Sequence, residues 1–318
     1  MARFTLYCTR MLPDPVMTAI WERYALVQEP PDHPPSQEEL QQGFAEADAV
    51  ISTLADHVDH TVLAGASRLK IIANYAVGYN NIDMHAAGQK GIVVSNTPDV
   101  LTDATADLTW ALLLAVSRRV VEGDRWLRTG QWPGWAPTQM LGSEVSGKTL
   151  GILGMGRIGQ AVALRAAGFR MPVIYASRRS VTVPAGLSWN RHSLSEVLAQ
   201  SDFLSLHVPL TDTTRHLIGV HELRNMKPTA FLINTSRGPV IDEAALVSAL
   251  KTGLIAGAGL DVYEHEPAVH ATLAMLPNVV LLPHLGSATL QTRIRMGMIC
   301  LENVAAVLAG KPAPNQVG

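Results

Sequence analysis

The sequence predicts an α/β protein of two domains, each a parallel sheet with helices on both faces, separated by a cleft. Three observations lead there. Short β-like runs alternate with helical patterns from one end of the chain to the other, as parallel strands joined by helical crossovers require. The 318 residues suffice for two cores. The run Lys148-Thr149-Leu150-Gly151-Ile152-Leu153-Gly154-Met155-Gly156-Arg157-Ile158-Gly159 reads as strand, glycine turn and helix start. About half the chain precedes it, so substantial structure exists beside the domain it opens.

In the first part, strands are expected at 4–8, 49–52, 70–74 and 92–95, and helices at 15–24, 36–45, 58–66 and 81–90. The segment Pro30-Pro31-Asp32-His33-Pro34-Pro35 reads as a rigid surface connector. Asn96-Thr97-Pro98 breaks the pattern, and one long helix is expected over 102–129, ending before Gly130. The second part resumes the alternation with strands at 150–153, 173–176, 203–207, 230–234, 255–260 and 279–282. Ser193 with Glu196 fits a capping box, and Asp242 before Glu243 is a good N-cap. The stretch 287–308 reads as one helix ending at Gly310, long enough to return to the first domain. The expected layout is discontinuous: 1–98 with 288–318 form one domain, 99–287 is inserted, and the two crossings hinge over the cleft.

Bulk properties exclude several classes. A formal net charge of −2 provides no basic face for nucleic acid. Hydrophobic residues at 47% and charged ones at 16% describe a globular, core-rich chain rather than a disordered one. The two cysteines, Cys8 and Cys300, lie in apolar settings and read as buried thiols, not a disulfide framework. The N-terminal residues lack a long apolar run, and the most apolar helix, at 108–116, is too short to span a bilayer. A cytoplasmic protein with no membrane partner is expected.

The glycine run has a Rossmann-like reading. Gly154 makes the tight turn, Gly156 admits a pyrophosphate to the backbone, and Gly159 lets helix and strand pack closely. The helix beginning at Arg157 and Ile158 then offers unpaired N–H groups and its positive dipole end to the anion. A carboxylate about 20 residues further on usually accepts hydrogen bonds from the adenosine ribose. Here the strand at 173–176 is followed by Ser177-Arg178-Arg179, with no acid. A hydroxyl and two guanidinium groups suit a 2′-phosphate, so NADPH is the expected cofactor and NADH the weaker one.

Three polar side chains follow predicted strands: Arg237 after 230–234, Glu266 after 255–260 and His284 after 279–282. Open α/β sheets bind ligands at those carboxyl ends. Arginine grips a carboxylate, histidine exchanges a proton near neutral pH, and a neighbouring carboxylate favours the protonated imidazole. Together they suit hydride transfer to a 2-keto acid. No metal site is expected.

At these residues the chain resembles a D-2-hydroxyacid dehydrogenase, and within that family the glyoxylate/hydroxypyruvate reductase branch. The matching segments are Tyr75-Ala76-Val77-Gly78-Tyr79-Asn80-Asn81-Ile82-Asp83, then residues 96–107, 154–159, 234–238, 259–267 and 283–289, in family order. The resemblance implies a flavodoxin-like substrate domain beside the dinucleotide-binding one. It implies that His284 is the acid/base, Glu266 its partner and Arg237 the substrate-orienting cation. It also implies that the Val77 and Gly78 amides hold the substrate carboxylate. Thr105 and Asp261 would line the nicotinamide side, with Pro209, Thr235 and Gly286 as further cofactor contacts. Residues of about 100–147 would form a dimerisation insertion, making a homodimer in which Trp135 reaches the neighbouring subunit's site near Leu54. The implied activity is reduction of glyoxylate and hydroxypyruvate to 2-hydroxy acids, of D configuration where chiral. A D-lactate-type or other 2-keto acid reductase stays open, as does a nicotinamide-sensing corepressor-like protein. Glu rather than Gln at position 266 disfavours a formate dehydrogenase-like role.

Overall fold

Apolar runs too short for helices pair as parallel strands. In the computed structural model, which describes residues 3–318, these build two units, Met1–Leu101 with Ser287–Gly318 and Thr102–Gly286. The first unit begins β1 (Thr5–Cys8), α1 (Asp14–Arg23), β2 (Ala25–Leu26), α2 (Gln37–Glu46) and β3 (Ala49–Ser52). It continues α3 (His60–Leu63), β4 (Ile71–Asn74), α4 (Met84–Gln89) and β5 (Val93–Ser95). The sheet order is β2-β1-β3-β4-β5, all parallel. Every residue of β3 and β4 is buried, as strands covered on both faces must be. Period-two alternation sends Leu6, Cys8, Ile51 and Ile71 into one core, and Tyr7, Val50, Ile72 and Val94 into another.

The second unit runs α5 (Thr102–Ser117), α6 (Val120–Arg128), β6 (Leu150–Leu153), α7 (Arg157–Ala166), β7 (Val173–Ala176) and β8 (Trp189–Arg191). It continues α8 (Leu194–Gln200), β9 (Phe203–Leu206), α9 (Val220–Arg224), β10 (Phe231–Asn234) and α10 (Glu243–Lys251). It ends with β11 (Gly257–Leu260), α11 (Ala271–Met275) and β12 (Val279–Leu281). The order is β12-β11-β10-β9-β6-β7-β8, again all parallel. One core joins Leu204, Leu206, Leu232 and Leu260 to α8, α9 and α10, and the other joins Ile152, Phe203 and Ile233 to α5 and α7. The chain then returns through α12 (Leu290–Leu308) to the first unit, where Met296, Cys300, Leu301 and Val304 share a core with Val16 and Ile20 of α1.

Several elements depart from the sequence expectation. The helix over 102–129 is two helices. Arg119 adopts a left-handed conformation (φ 54°), and the N–H of Ser143 takes the Ser117 carbonyl at 2.8 Å. An apolar pattern continues through such a break, because pattern reports burial and not the fate of a terminal carbonyl. The helix at 58–66 shrinks to α3 because Asp59 caps it, accepting from the N–H groups of Thr61 and Val62, while Val58 bridges to Ile82. Likewise α12 starts at Leu290, with Thr289 accepting from the N–H of Thr292. Strands β2 and β8 were not expected: the first has two residues, and the second buries only Trp189. The Ser193–Glu196 capping box and the Asp242 cap are present. Cys8 and Cys300 are free, buried thiols, and burial pushes that of Cys8 up to about 12. Among the described residues no helix is long and apolar enough to cross a membrane.

Gly297 sets the approach of α12 to α1, because a Cβ there would lie 2.6 Å from the methyl groups of buried Val16. Gly297→Val is expected to destabilise the protein by about 1–3 kcal/mol. A fall in the denaturant midpoint measures it, and an unchanged midpoint refutes the close packing.

Candidate active site

Parallel pairing in register makes three strand ends neighbours. Asn234 of β10 pairs with Leu260 of β11, and Leu260 pairs with Leu281 of β12. The segments that follow carry Arg237, Glu266 and His284 from adjacent positions on one edge. Buried Asn234 shapes the first: its Nδ2 donates to the Arg237 carbonyl (3.0 Å), and its Oδ1 accepts from the N–H (3.0 Å) and hydroxyl (2.7 Å) of Ser236. Gly238 lets this segment touch the next, since a Cβ there would fall 1.8 Å from the Tyr263 carbonyl oxygen.

Glu266 is fixed by two contacts. Its Oε1 accepts from the Tyr263 N–H at 3.0 Å, and its Oε2 lies 2.8 Å from Nδ1 of His284. An ionised carboxylate only accepts, so Nδ1 carries the hydrogen and Nε2 is left for proton exchange. His284 itself is held at φ 55°, a conformation that costs a non-glycine residue energy. Asp261 secures it: the His284 N–H donates to the Asp261 carbonyl (3.0 Å), and the Leu285 and Gly286 N–H groups donate to its carboxylate (2.6 and 2.8 Å). The Thr105 hydroxyl then donates to the Gly286 carbonyl at 3.0 Å.

The charges fit this geometry. Partial burial raises the Glu266 carboxyl. The His284 hydrogen bond and charge, the Tyr263 N–H and the Arg237 guanidinium together outweigh it and hold Glu266 below its ordinary value. Burial draws Arg237 down, opposed by Glu266, but a guanidinium starts so high that it stays cationic. Burial raises Asp261, against the Leu285 and Gly286 N–H groups and the charge of His284. Two other histidines are differently placed. His207 bonds to the Ser205 hydroxyl at 2.8 Å, and burial pushes its imidazole down to about 3, so it stays neutral at working pH. His216 pairs with Glu264 at 2.5 Å, but that carboxylate also accepts from the Glu243 N–H and ties α10 to the segment after β11.

The glycine cradle suits a dinucleotide. Gly154 has φ 94°, and a Cβ there would meet the His207 carbonyl oxygen at 2.5 Å. At Gly159 a Cβ would strike the Gly154 carbonyl oxygen at 2.2 Å, which is the close helix–strand approach. A Cβ on Gly156 would meet nothing within 4 Å, and this residue begins α7 without a side-chain cap. Backbone access at an uncapped helix N-terminus is what a pyrophosphate needs. Arg157 and Ile158 form the first turn of α7. Beyond β7, Arg191 of β8 donates to the carbonyls of Ser177 (2.8 and 3.1 Å) and Arg178 (3.1 Å), fixing the backbone of the Ser177-Arg178-Arg179 turn. The Thr235 hydroxyl lies 2.8 Å from that of Thr109, and the exposed Pro209 accepts from the Thr214 hydroxyl at 2.6 Å.

The remaining expected residues lie elsewhere. Leu54 follows β3, and Val77 and Gly78 follow β4, all in the first unit. Asn96 donates to the Val77 carbonyl (2.8 Å) and Asn74 to that of Gly78 (2.9 Å), while among the described residues neither N–H has a protein acceptor. Trp135 is 81% exposed in the segment after α6. Among the described residues no cluster of three metal-ligating side chains occurs. Asn74, Asn234, Gly238 and Arg191 position these groups without having stood out in the sequence. Asparagine at the end of two apolar strands, in Asn74 and Asn234, was the available signal.

Residues 110–286 match the family model for the D-isomer specific 2-hydroxyacid dehydrogenase, NAD binding domain. The glyoxylate reductase of Thermococcus litoralis is 49% identical over 317 residues, 98% of this chain and 96% of that protein. A crystal structure of a protein from Thermus thermophilus superposes with a TM-score of 0.93 at 45% identity, covering 99% of this chain and 100% of that one. The NADPH-dependent glyoxylate/hydroxypyruvate reductase of Sinorhizobium meliloti, solved with NADP and malonate, gives 0.88 at 34% identity, covering 100% and 97%.

Because Glu266 is held low, its pairing with His284 persists as pH falls through the ordinary carboxylate range and is lost only below it. The Glu266 carboxyl, followed by NMR, is therefore expected to titrate below the ordinary carboxylate range, and titration at the ordinary value refutes the pairing.

Proposed function

The chain belongs to the D-isomer specific 2-hydroxyacid dehydrogenase family, and on that premise we propose that it reduces glyoxylate and hydroxypyruvate to 2-hydroxy acids with NADPH. The observation that carries this reading is the His284–Glu266 pair at 2.8 Å, with Arg237 on the adjacent strand end. The glyoxylate reductase relative and the NADPH-dependent glyoxylate/hydroxypyruvate reductase support the substrate class.

When bound at Gly154, Gly156 and Gly159, the nicotinamide dinucleotide supplies hydride to the carbonyl carbon. Arg237 grips the substrate carboxylate and lowers the energy of negative charge developing on the carbonyl oxygen. The Val77 and Gly78 N–H groups contribute donors to the same carboxylate. Protonated His284 gives its Nε2 proton to that oxygen, and Glu266 stabilises the imidazolium until then. Asp261 and Thr105, by holding Gly286 and Leu285, keep the ring in place. Residues after α5 support a homodimer: α6 buries none of its residues, and Trp135 and Leu141 are exposed at 81% and 65%. Trp135 then closes the neighbouring subunit's site near Leu54 and favours short substrates.

His284→Asn is expected to lower kcat on glyoxylate by about 100-fold or more while leaving NADPH affinity within a few-fold. Near-full turnover in that variant removes His284 as the proton donor. The absence of a carboxylate after β7, with Arg178 and Arg179 in its place, favours a 2′-phosphate. Arg178→Ala with Arg179→Ala is expected to raise KM for NADPH by about 5- to 150-fold, the equivalent of about 1–3 kcal/mol, leaving that for NADH little changed. An unaltered ratio of the two KM values overturns the NADPH preference.

A further inference from the structure

Two carboxylates and an imidazole that the reading above does not use join the segments carrying Arg237 and Glu266. Glu264 lies two residues before Glu266, and its side chain meets α10, whereas that of Glu266 meets His284. The Glu243 N–H, at the start of α10, donates to Glu264 Oε2 at 3.1 Å. The Glu264 N–H donates in return to Glu243 Oε2 at 2.9 Å. Each carboxylate thus accepts from the backbone of the other residue. Glu243 Oε1 also accepts from the His270 N–H at 3.1 Å, so one side chain draws together the two ends of the loop 264–270 that bears Glu266. An N–H in the first turn of a helix has no acceptor within the helix, and Glu264 supplies one with a charge that suits that helix end.

The third member comes from another strand end. His216, in the segment after β9, brings Nε2 to 2.5 Å from Glu264 Oε1. An ionised carboxylate only accepts, so Nε2 carries the hydrogen. The backbone of His216 is tied to the segment that follows Arg237. Its N–H donates to the Pro239 carbonyl at 2.8 Å, and the Ile218 N–H donates to the Val240 carbonyl at 3.1 Å. His216 is held at φ 50°, a conformation that costs a non-glycine residue energy. Burial raises the Glu264 carboxyl, but the His216 and Glu243 hydrogen bonds and the charges of His216 and His265 outweigh it and hold it below its ordinary value.

These contacts act where the sheet no longer does. The ladder between β10 and β11 ends at Asn234 and Leu260. Beyond it, the segments bearing Arg237 and Glu266 meet at Gly238, where a Cβ would fall 1.8 Å from the Tyr263 carbonyl oxygen and 2.5 Å from the Glu264 nitrogen. Close packing there prevents approach, and the His216–Glu264–Glu243 contacts oppose separation. Charge-assisted hydrogen bonds of this kind are about twice as strong as neutral ones.

We propose that His216, Glu264 and Glu243 are positioning residues for the reduction, fixing the spacing between Arg237 and the Glu266–His284 pair. The inference rests on the roles given above to those three groups: Arg237 grips the substrate, and His284 gives it a proton. The clamp acts through Arg237 and Glu266 and not on the reacting atoms. A displacement of about 1 Å between a gripping group and a proton donor is enough to cost about 100-fold in rate.

The test compares His216→Leu with His216→Gln. Both place an unbranched Cβ on the same left-handed backbone, but only the glutamine amide can donate to Glu264. His216→Leu is expected to lower kcat on glyoxylate by about tenfold while leaving KM for NADPH within about twofold. His216→Gln is expected to keep kcat within about threefold of the unsubstituted protein. The Glu266 carboxyl titration, followed by NMR, is expected to move up toward the ordinary range in His216→Leu and to stay in place in His216→Gln. A kcat that holds in His216→Leu while the denaturant midpoint falls makes the clamp a matter of stability alone and overturns the inference. An equal loss of kcat in both variants, or a Glu266 titration that does not move in His216→Leu, also overturns it. If the unsubstituted protein does not reduce glyoxylate, the proposed function fails, and the Glu266 titration decides the clamp separately.

Discussion

The backbone ladder joining β10, β11 and β12 is the constraint on which the site depends. Hydrogen bonding in parallel forces the three strands to end on one edge, and in-register pairing makes those ends neighbours. Arg237, Glu266 and His284 are separated along the chain by 29 and 18 residues. No local preference could gather them. The ladder does so with ordinary strands whose side chains, such as Leu232, Ile233 and Leu260, are committed to the core and take no part in chemistry.

The ladder alone places segments, not side chains. The last few ångströms are set by polar backbone contacts that burial makes obligatory. Asn234 folds the segment bearing Arg237 back on itself, and Gly238 lets it rest against Tyr263. Asp261 offers three acceptors to the stretch from His284 to Gly286, which offsets the roughly 1–3 kcal/mol that a left-handed histidine costs. The same imidazole faces a carboxylate at 2.8 Å, whereas His207 is buried to neutrality beneath the glycine turn. Chemically identical side chains, both just beyond strand ends of one sheet, thus receive different electrostatic settings from their surroundings.

The turns that follow the strands are shaped by different devices. At the glycine turn, the absence of side chains exposes an uncapped helix terminus. After β7, the turn that carries Arg178 and Arg179 is braced by a third arginine, Arg191, acting on its carbonyls rather than on a ligand. In the first unit, Asn74 and Asn96 take up the carbonyls of Gly78 and Val77 and leave the N–H groups as donors. Each device sets the local backbone, by fixing a carbonyl or by removing a side chain.

Much of this was legible in residue order. Alternation of apolar runs with helical patterns, the spacing of Gly154, Gly156 and Gly159, the missing acid beyond β7, and the caps at Ser193 and Asp242 are local features, and local sequence determines them because they depend on neighbours a few residues away. The division of 102–129 into two helices was not legible, since a carbonyl at Ser117 meets its donor at Ser143, 26 residues later. Strand β8 was hidden because a polar edge strand has no burial pattern to show. Nor could the sequence reveal that Asp261 clamps the segment carrying His284, or that Gly238 is glycine because a carbonyl from Tyr263 occupies the space of its side chain. The sequence by itself determined which residue types were available and which strand end each follows. Tertiary structure decided their distances, their hydrogen-bond partners and hence their charges, because those quantities depend on contacts between segments that only the folded sheet brings together.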